Sequence, residues 1–136
     1  PGDVVGSRII ERVATADLDE RMPPEHEGEP FKAAEVQVLK DGRWLLINND
    51  TERGRHSLCL SLSDDEGKSW KWQRHLELDK PAEKPGSFHY PSIIQASDGS
   101  IHASYSVFEN HLPEGQPRKT IRHARFNLEW VEQGDR

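Results

Sequence analysis

The stretch Ser63-Asp64-Asp65-Glu66-Gly67-Lys68-Ser69-Trp70 decides the fold. It reads S-x-D-x-G-x-x-W and separates two runs, Ser57-Leu58-Cys59-Leu60-Ser61-Leu62 and Trp70-Lys71-Trp72-Gln73-Arg74-His75-Leu76. The first run alternates small polar with apolar residues, the period-two pattern of a strand. The stretch itself reads as the turn between two strands. Asp65 can accept hydrogen bonds from the turn's own N–H groups. Gly67 supplies a backbone with φ > 0. Trp70 can fold its ring back over the hairpin.

The same pattern extends in both directions. Ala34 to Leu39 reads as a strand, Lys40-Asp41-Gly42-Arg43 as a hairpin turn, and Trp44 to Asn49 as the returning strand. Asp50 to Arg55 is a polar loop, His56 to Ser63 a third strand and Trp70 to Leu78 a fourth. After a loop with Pro81 and Pro85 the pattern recurs: Phe88 to Gln95, the turn Ser97-Asp98-Gly99-Ser100, then Ile101 to Phe108. Glu109 to Pro117 is a longer loop, Lys119 to Phe126 a third strand, and Leu128 to Val131 is expected as a short fourth. This is a weak internal repeat of meander units. The expected class is all-β, with about two four-stranded units of β-propeller-blade type. Residues 1–30 form an N-terminal strand and an acidic, Pro-rich loop, 31–79 the first unit and 80–136 the second.

Composition narrows the function. The 136 residues are 33% hydrophobic and 31% charged, with a net charge of -6. No global basic field exists to draw in nucleic acid, so an anionic ligand would need local arginines. No apolar run approaches about 18 residues, so no membrane-spanning helix is expected. No signal-peptide pattern is visible. Cys59 is the single cysteine and is expected as a buried, reduced thiol, which favours a cytoplasmic setting. His75, His89, His102 and His123 follow no H-x-H or H-E-x-x-H spacing, so no metal site is expected, and no cofactor. Trp44 and Trp70 are placed like core residues. Trp72 and Trp130 are the candidates for exposed stacking on a sugar.

The turn at Ser63–Trp70 resembles the Asp-box of sialidases and related β-propellers, where it is a structural device away from the active site. Two further segments carry the likeness. Ala34-Glu35-Val36-Gln37-Val38-Leu39 with its Asp-Gly turn resembles the glutamate-bearing strand pair of the sialidase superfamily. Ser87-Phe88-His89-Tyr90-Pro91-Ser92-Ile93-Ile94-Gln95, with Asp98-Gly99 and Ile101-His102, resembles its tyrosine-bearing pair. The likeness runs from about Phe31 to Phe126 and is greatest to the bacterial and plant BNR-repeat, sialidase-like branch.

The resemblance implies a glycoside-hydrolase chemistry in which Tyr90 is the nucleophile and Glu35 its base. A neutral phenol avoids the repulsion that a carboxylate nucleophile would meet from sialic acid's own carboxylate. The family clamps that carboxylate with three arginines, a task suited to guanidinium geometry. Here Arg55 (or Arg53) stands in for one. The chain reads Asn48-Asn49-Asp50 where another is expected, and Ser106, with Glu109 nearby, where a supporting glutamate is expected. Asn49 and His89 are further candidates for substrate binding. Asp50 and Asp17 are the candidates for the acid/base aspartate. The implied function is a sialidase-like carbohydrate-active protein, with neuraminidase-like exo-glycosidase hydrolysis if the Tyr/Glu pair is active. The alternative is a non-catalytic carbohydrate-binding or structural propeller module. Closing a propeller takes about four to eight blades. The chain is therefore expected to assemble as a homo-oligomeric ring, three copies giving about six blades, or to form part of a longer chain. Its expected partner is a carbohydrate.

Overall fold

Two Asp-Gly turns organise two sheets. In the computed structural model, residues 8–14, 34–51, 54–78, 86–109 and 119–135 are described. The first turn joins β2 (Ala34–Val38) to β3 (Trp44–Asn48). It is closed by Leu39 N–H to Arg43 O and Gly42 N–H to Leu39 O, and the Asp41 carboxylate accepts from Arg43 N–H. The second joins β6 (Ser87–Gln95) to β7 (Ile101–Phe108) with the same bonds: Ala96 N–H to Ser100 O, Gly99 N–H to Ala96 O, and Asp98 accepting from Ser100 N–H. Gly42 and Gly99 both sit at φ 89, the region that side chains avoid. The internal repeat is thus a repeat of turn chemistry.

Each hairpin grows into a four-stranded antiparallel sheet. The first runs β2-β3-β4-β5, with β4 at Ser57–Ser63 and β5 at Trp72–Leu78. The second runs β1-β8-β7-β6, with β8 at Lys119–Phe126 and β1 at Arg8–Ala14. The fourth strand of the second sheet therefore comes from the N-terminal region, Ile9 lying opposite Arg125. The segment after β8 is a helix, α1 (Leu128–Gln133), where a fourth strand is expected from the sequence. Its caps explain this. The Asn127 side chain accepts from Trp130 N–H at 3.0 Å, and Gly134, at φ 70, donates its N–H to Val131 O.

One core lies between the sheets. Leu45, Ile47, Leu58, Leu60 and Leu62 meet Phe88, Ile93, Ile101, Tyr105, Val107 and Phe126, with Trp130 and Val131 of α1 closing one side. Trp130 is buried, with the Arg74 guanidinium 3.8 Å from its ring centroid and Arg8 at 5.5 Å. The expectation that Trp130 is an exposed stacking platform is therefore corrected. Trp72 also packs against the core, beneath Arg43 and Lys71. Trp44 and Trp70 are only half-buried, on either side of the turn at Gly67.

The turn at Ser63–Trp70 is held by two side chains. Asp65 Oδ1 accepts from Ser63 Oγ at 2.7 Å and from Ser69 N–H at 2.8 Å, and Ser63 Oγ accepts from Gly67 N–H at 2.9 Å. The Ser69 hydroxyl, its N–H and the Ser63 hydroxyl hold the Asp65 carboxyl down to a pKa of about 2. Gly67, at φ 83, lies against Trp44. A Cβ there would come within 3.1 Å of the indole.

Candidate functional site

The first sheet meets the second along β2 and β6. At one end Lys40 N–H donates to Gln95 Oε1 at 2.8 Å. At the other, Ala34 pairs with Asn48, and the next residue, Asn49, donates from Nδ2 to Phe88 O at 3.2 Å. The two strands therefore run parallel. Glu35 near the start of β2 and Tyr90 near the start of β6 fall at the same end of the seam. Glu35 also lies directly opposite Ile47, a core residue, so its side chain is on the face turned towards the second sheet. It is half-buried and accepts from Gln37 Nε2 at 3.1 Å.

The β3–β4 loop brings Arg55 to this end. Arg55 O accepts from Phe88 N–H at 2.7 Å, and Arg55 Nη1 lies 2.9 Å from His89 Nδ1. Because a guanidinium can only donate, His89 Nδ1 must accept. The imidazole proton is then on Nε2, aimed at Ser87 Oγ 2.7 Å away. His89 is buried at 9% exposure and serves as the rest for Arg55. Asn49 is buried at 7% exposure, and its Nδ2 donates to both Ser57 O and Phe88 O. Asn49 is expected from the sequence to meet a sugar hydroxyl. Its geometry gives it another task, tying the arginine-bearing loop to β6.

Tyr90 is the residue of this end with an unusual backbone. Its φ is 53, it sits where the β6–β7 register shifts between His89 and Ser92, and its side chain is 48% exposed. Positive φ is costly for a bulky side chain, and such positions gather at sites of function. Its ring centroid is 6.1 Å from that of His89. Glu35, Asn49, Arg55, His89 and Tyr90 thus share one end of the β2–β6 seam. Arg53 and Asp17 lie outside the described residues. Asp50 is turned to a different set of partners.

Sequence reasoning missed two clusters. The first is Tyr105 with Glu77, Arg122 and Glu109. Tyr105 OH donates to Glu77 Oε2 at 2.8 Å, Arg122 Nη1 donates to the same oxygen at 2.6 Å, and Arg122 Nη2 reaches Glu109 Oε1 at 2.8 Å. It has the residue types of a tyrosine–glutamate–arginine site. However, Tyr105 is sealed in the core at 1% exposure, and burial with the Glu77 charge drives its phenol pKa upward. The cluster joins the two sheets. The signal for it was available, since Tyr105 and Arg122 are direct cross-strand partners once β7 and β8 are aligned.

The second is Asp50, Cys59, His75 and Asp135. Cys59 and His75 are cross-strand partners, His75 Nε2 lies 2.8 Å from Asp50 Oδ2, and His75 Nδ1 lies 2.6 Å from Asp135 Oδ2. Burial works against a charged ring, but Asp135 and Asp50 outweigh it and raise the His75 pKa. Burial likewise opposes ionisation of Asp50, and Ser57 Oγ and His75 outweigh it to lower that pKa. Burial, reinforced by the Asp50 charge, pushes the Cys59 thiol up to about 11.

An all-β chain of two four-stranded sheets, with repeated Asp-Gly hairpins and an Asp-box turn, is defined as a class by these features. Residues 24–103, more than half of the chain, match the family model described as a BNR repeat-like domain. The chain belongs to that family, consistent with the sialidase-like BNR/Asp-box superfamily. No match was found among curated proteins.

Proposed function

We propose that this chain is the carbohydrate-recognising part of a sialidase-like β-propeller, with Tyr90 and Glu35 as nucleophile and base and Arg55 as the group that meets a carboxylate or hydroxyl of the sugar. Tyr90 is the observation that carries the reading. It is an exposed phenol held at positive φ, on the strand end shared by Glu35 and the Arg55–His89 pair. An attacking phenol must reach the anomeric carbon, which an exposed tyrosine allows and the buried Tyr105 does not. Glu35 would take the phenol proton as the phenol oxygen bonds to the anomeric carbon and the aglycone leaves with the electron pair of the glycosidic bond, protonated by Glu35 or solvent. Water then cleaves the tyrosyl–sugar bond, releasing the sugar and restoring the phenol. His89 and Asn49 act by holding Arg55 and its loop in place.

Hydrolysis of a panel of aryl glycosides tests this, sialosides included. Release of aglycone by the natural sequence, lost in Tyr90→Phe, supports the nucleophile. Activity unchanged in Tyr90→Phe removes it. Sugar binding without turnover would leave the recognition module and discard the hydrolase.

The propeller part of the reading has support of its own. The face of the first sheet turned away from the core carries Val36 and Val38, 45% and 65% exposed. The corresponding face of the second carries Ile9 and Ile94, 56% and 59% exposed. Exposed apolar side chains on both outward faces, set among polar ones such as His102 and Arg125 on the second sheet, suit a unit flanked by further blades. In our reading these come from other copies of the chain in a ring, or from further segments of a longer chain. Light scattering on the isolated chain distinguishes the two. A trimer supports the ring, and a well-folded monomer refutes it.

A further inference from the structure

The cluster at the outer edge of the first sheet has no part in the proposed sugar chemistry. The Asp50 carboxylate, the Cys59 thiol and the His75 ring bring one oxygen, one sulfur and one nitrogen within 4.8 Å of one another, and it is Nε2 that faces Asp50 Oδ2, 2.8 Å away. Three strands of one meander contribute: Asp50 follows β3, Cys59 lies in β4 and His75 in β5. Asp135 reaches in from beyond α1 and takes the other ring nitrogen, while its Oδ1 accepts from the His75 N–H at 3.0 Å.

We propose that Asp50, Cys59 and His75 form a binding site for a divalent cation of zinc type. The donor set suits it. Thiolate, imidazole and carboxylate together favour zinc over magnesium or calcium, which prefer oxygen ligands. In a tetrahedral zinc site neighbouring ligand atoms stand roughly 3.3–3.8 Å apart. The Asp50–His75 pair, at 2.8 Å, would open by roughly 0.5 Å, and the thiol would draw in by at most about 1.5 Å, within the reach of side-chain rotation.

Asp135 completes the arrangement. A histidine that ligates through one nitrogen characteristically donates its other N–H to a carboxylate, which fixes the tautomer and the ring plane. Asp135 Oδ2 does this at Nδ1 and leaves Nε2 for the ion. In the metal-free chain a proton on Nε2 faces Asp50, and the ion would displace it together with the thiol proton of Cys59. The Asp50 and His75 side chains are 35% and 28% exposed, so one side stays open for water as fourth ligand. A hydrogen-bonded clasp would need the two carboxylates and the ring alone. The buried thiol of Cys59, the cross-strand partner of His75 and within 4.8 Å of its ring and of the Asp50 carboxylate, is what points to a metal.

The ion would have a structural role. Asp50 begins the loop that carries Arg55, and Asp50 Oδ1 accepts from Ser57 Oγ at the loop's far end. Asp135 lies just after α1. One cation would join the arginine-bearing loop, β4, β5 and the segment that follows α1.

The test is titration of chelator-treated protein with Co2+, followed by competition with Zn2+. One equivalent should bind with a thiolate-to-cobalt charge-transfer band and visible bands of four-coordinate intensity, both abolished by Zn2+. The charge-transfer band should vanish in Cys59→Ser. Affinity should fall at least tenfold in Asp50→Asn and in His75→Gln. In Asp135→Asn it should fall roughly 10–100-fold with the spectrum retained, as for a second-layer carboxylate. His102→Gln, on the other sheet, should bind as the natural sequence does. Circular dichroism of each variant checks folding, and the isosteric Asp50→Asn carries the test if Cys59→Ser does not fold. Absence of the thiolate band in the natural sequence overturns the proposal. So does a band that survives Cys59→Ser, or an affinity unchanged in Asp50→Asn.

Discussion

Tyr105→Phe probes the joint between the sheets. The substitution deletes one oxygen and leaves the ring in the core, so it creates no cavity of note. What is lost is the hydrogen bond from the phenol to Glu77 Oε2, 2.8 Å long and shared with Arg122. Glu77 and Arg122 are 14% and 22% exposed, so water replaces that bond poorly. Hydrogen bonds to a charged acceptor contribute about 1.5–3 kcal/mol. The expected loss is about 2 kcal/mol, or roughly 5–10 °C in Tm for a domain of this size. Urea unfolding followed by the fluorescence of the four tryptophans measures it. Glu77→Gln should cost about as much, because it uncouples Arg122 from half of its carboxylate support. The double variant should fall short of the sum by about 1 kcal/mol, since the two changes break one bond in common. Sugar binding should be unaffected in Tyr105→Phe. A change in stability below about 0.5 kcal/mol, or strict additivity, would refute the claim that this network holds the sheets together.

The turns give a paired test. Gly67→Ala should cost more than Gly99→Ala: both sit at positive φ, worth about 1–2 kcal/mol, but a Cβ at Gly67 meets Trp44 at 3.1 Å, whereas at Gly99 nothing lies within 4 Å. Equal losses by denaturant unfolding would disprove the packing argument. Asp65 should titrate at about 2 by carboxyl NMR. Its folded pKa lies below the unfolded value of about 3.9, so its contribution to stability is complete above that pH and is lost as pH falls towards 2. A titration midpoint near the ordinary aspartate value would mean that the Ser63 and Ser69 bonds are not made in solution. Thr120→Val should stabilise the fold by about 1 kcal/mol, because the buried Thr120 hydroxyl has no hydrogen-bond partner among the described residues. A lower Tm would show that the hydroxyl is satisfied after all.

What could be read in the sequence was local. The Asp-Gly hairpins and the Ser63–Trp70 turn depend on residues within a few positions of one another, and the alternation in β4 marks its core face with Leu58, Leu60 and Leu62. Long-range pairing was not legible. Arg8 pairs with Phe126 across most of the chain, and nothing near Arg8 specifies that partner. The helix Leu128–Gln133 was missed, although Asn127 and Gly134 are cap signals, because its short apolar run also fits a strand. Glu35, Arg55, His89 and Tyr90 follow from the family pattern; Arg55 touches His89, whose ring neighbours that of Tyr90, and Glu35 lies near the same end of the β2–β6 seam. The Asp50–Cys59–His75 cluster escaped because its ligands follow strand register, not any short spacing in sequence.

We propose above that the Glu35–Arg55–Tyr90 end recognises a sugar. Ligand-detected NMR against a glycoside panel, run on the natural sequence, Arg55→Met and Tyr105→Phe, tests it most directly. A glycoside should be bound by the natural sequence and by Tyr105→Phe, and at least tenfold more weakly by Arg55→Met. No bound glycoside, or equal binding by Arg55→Met, would contradict it.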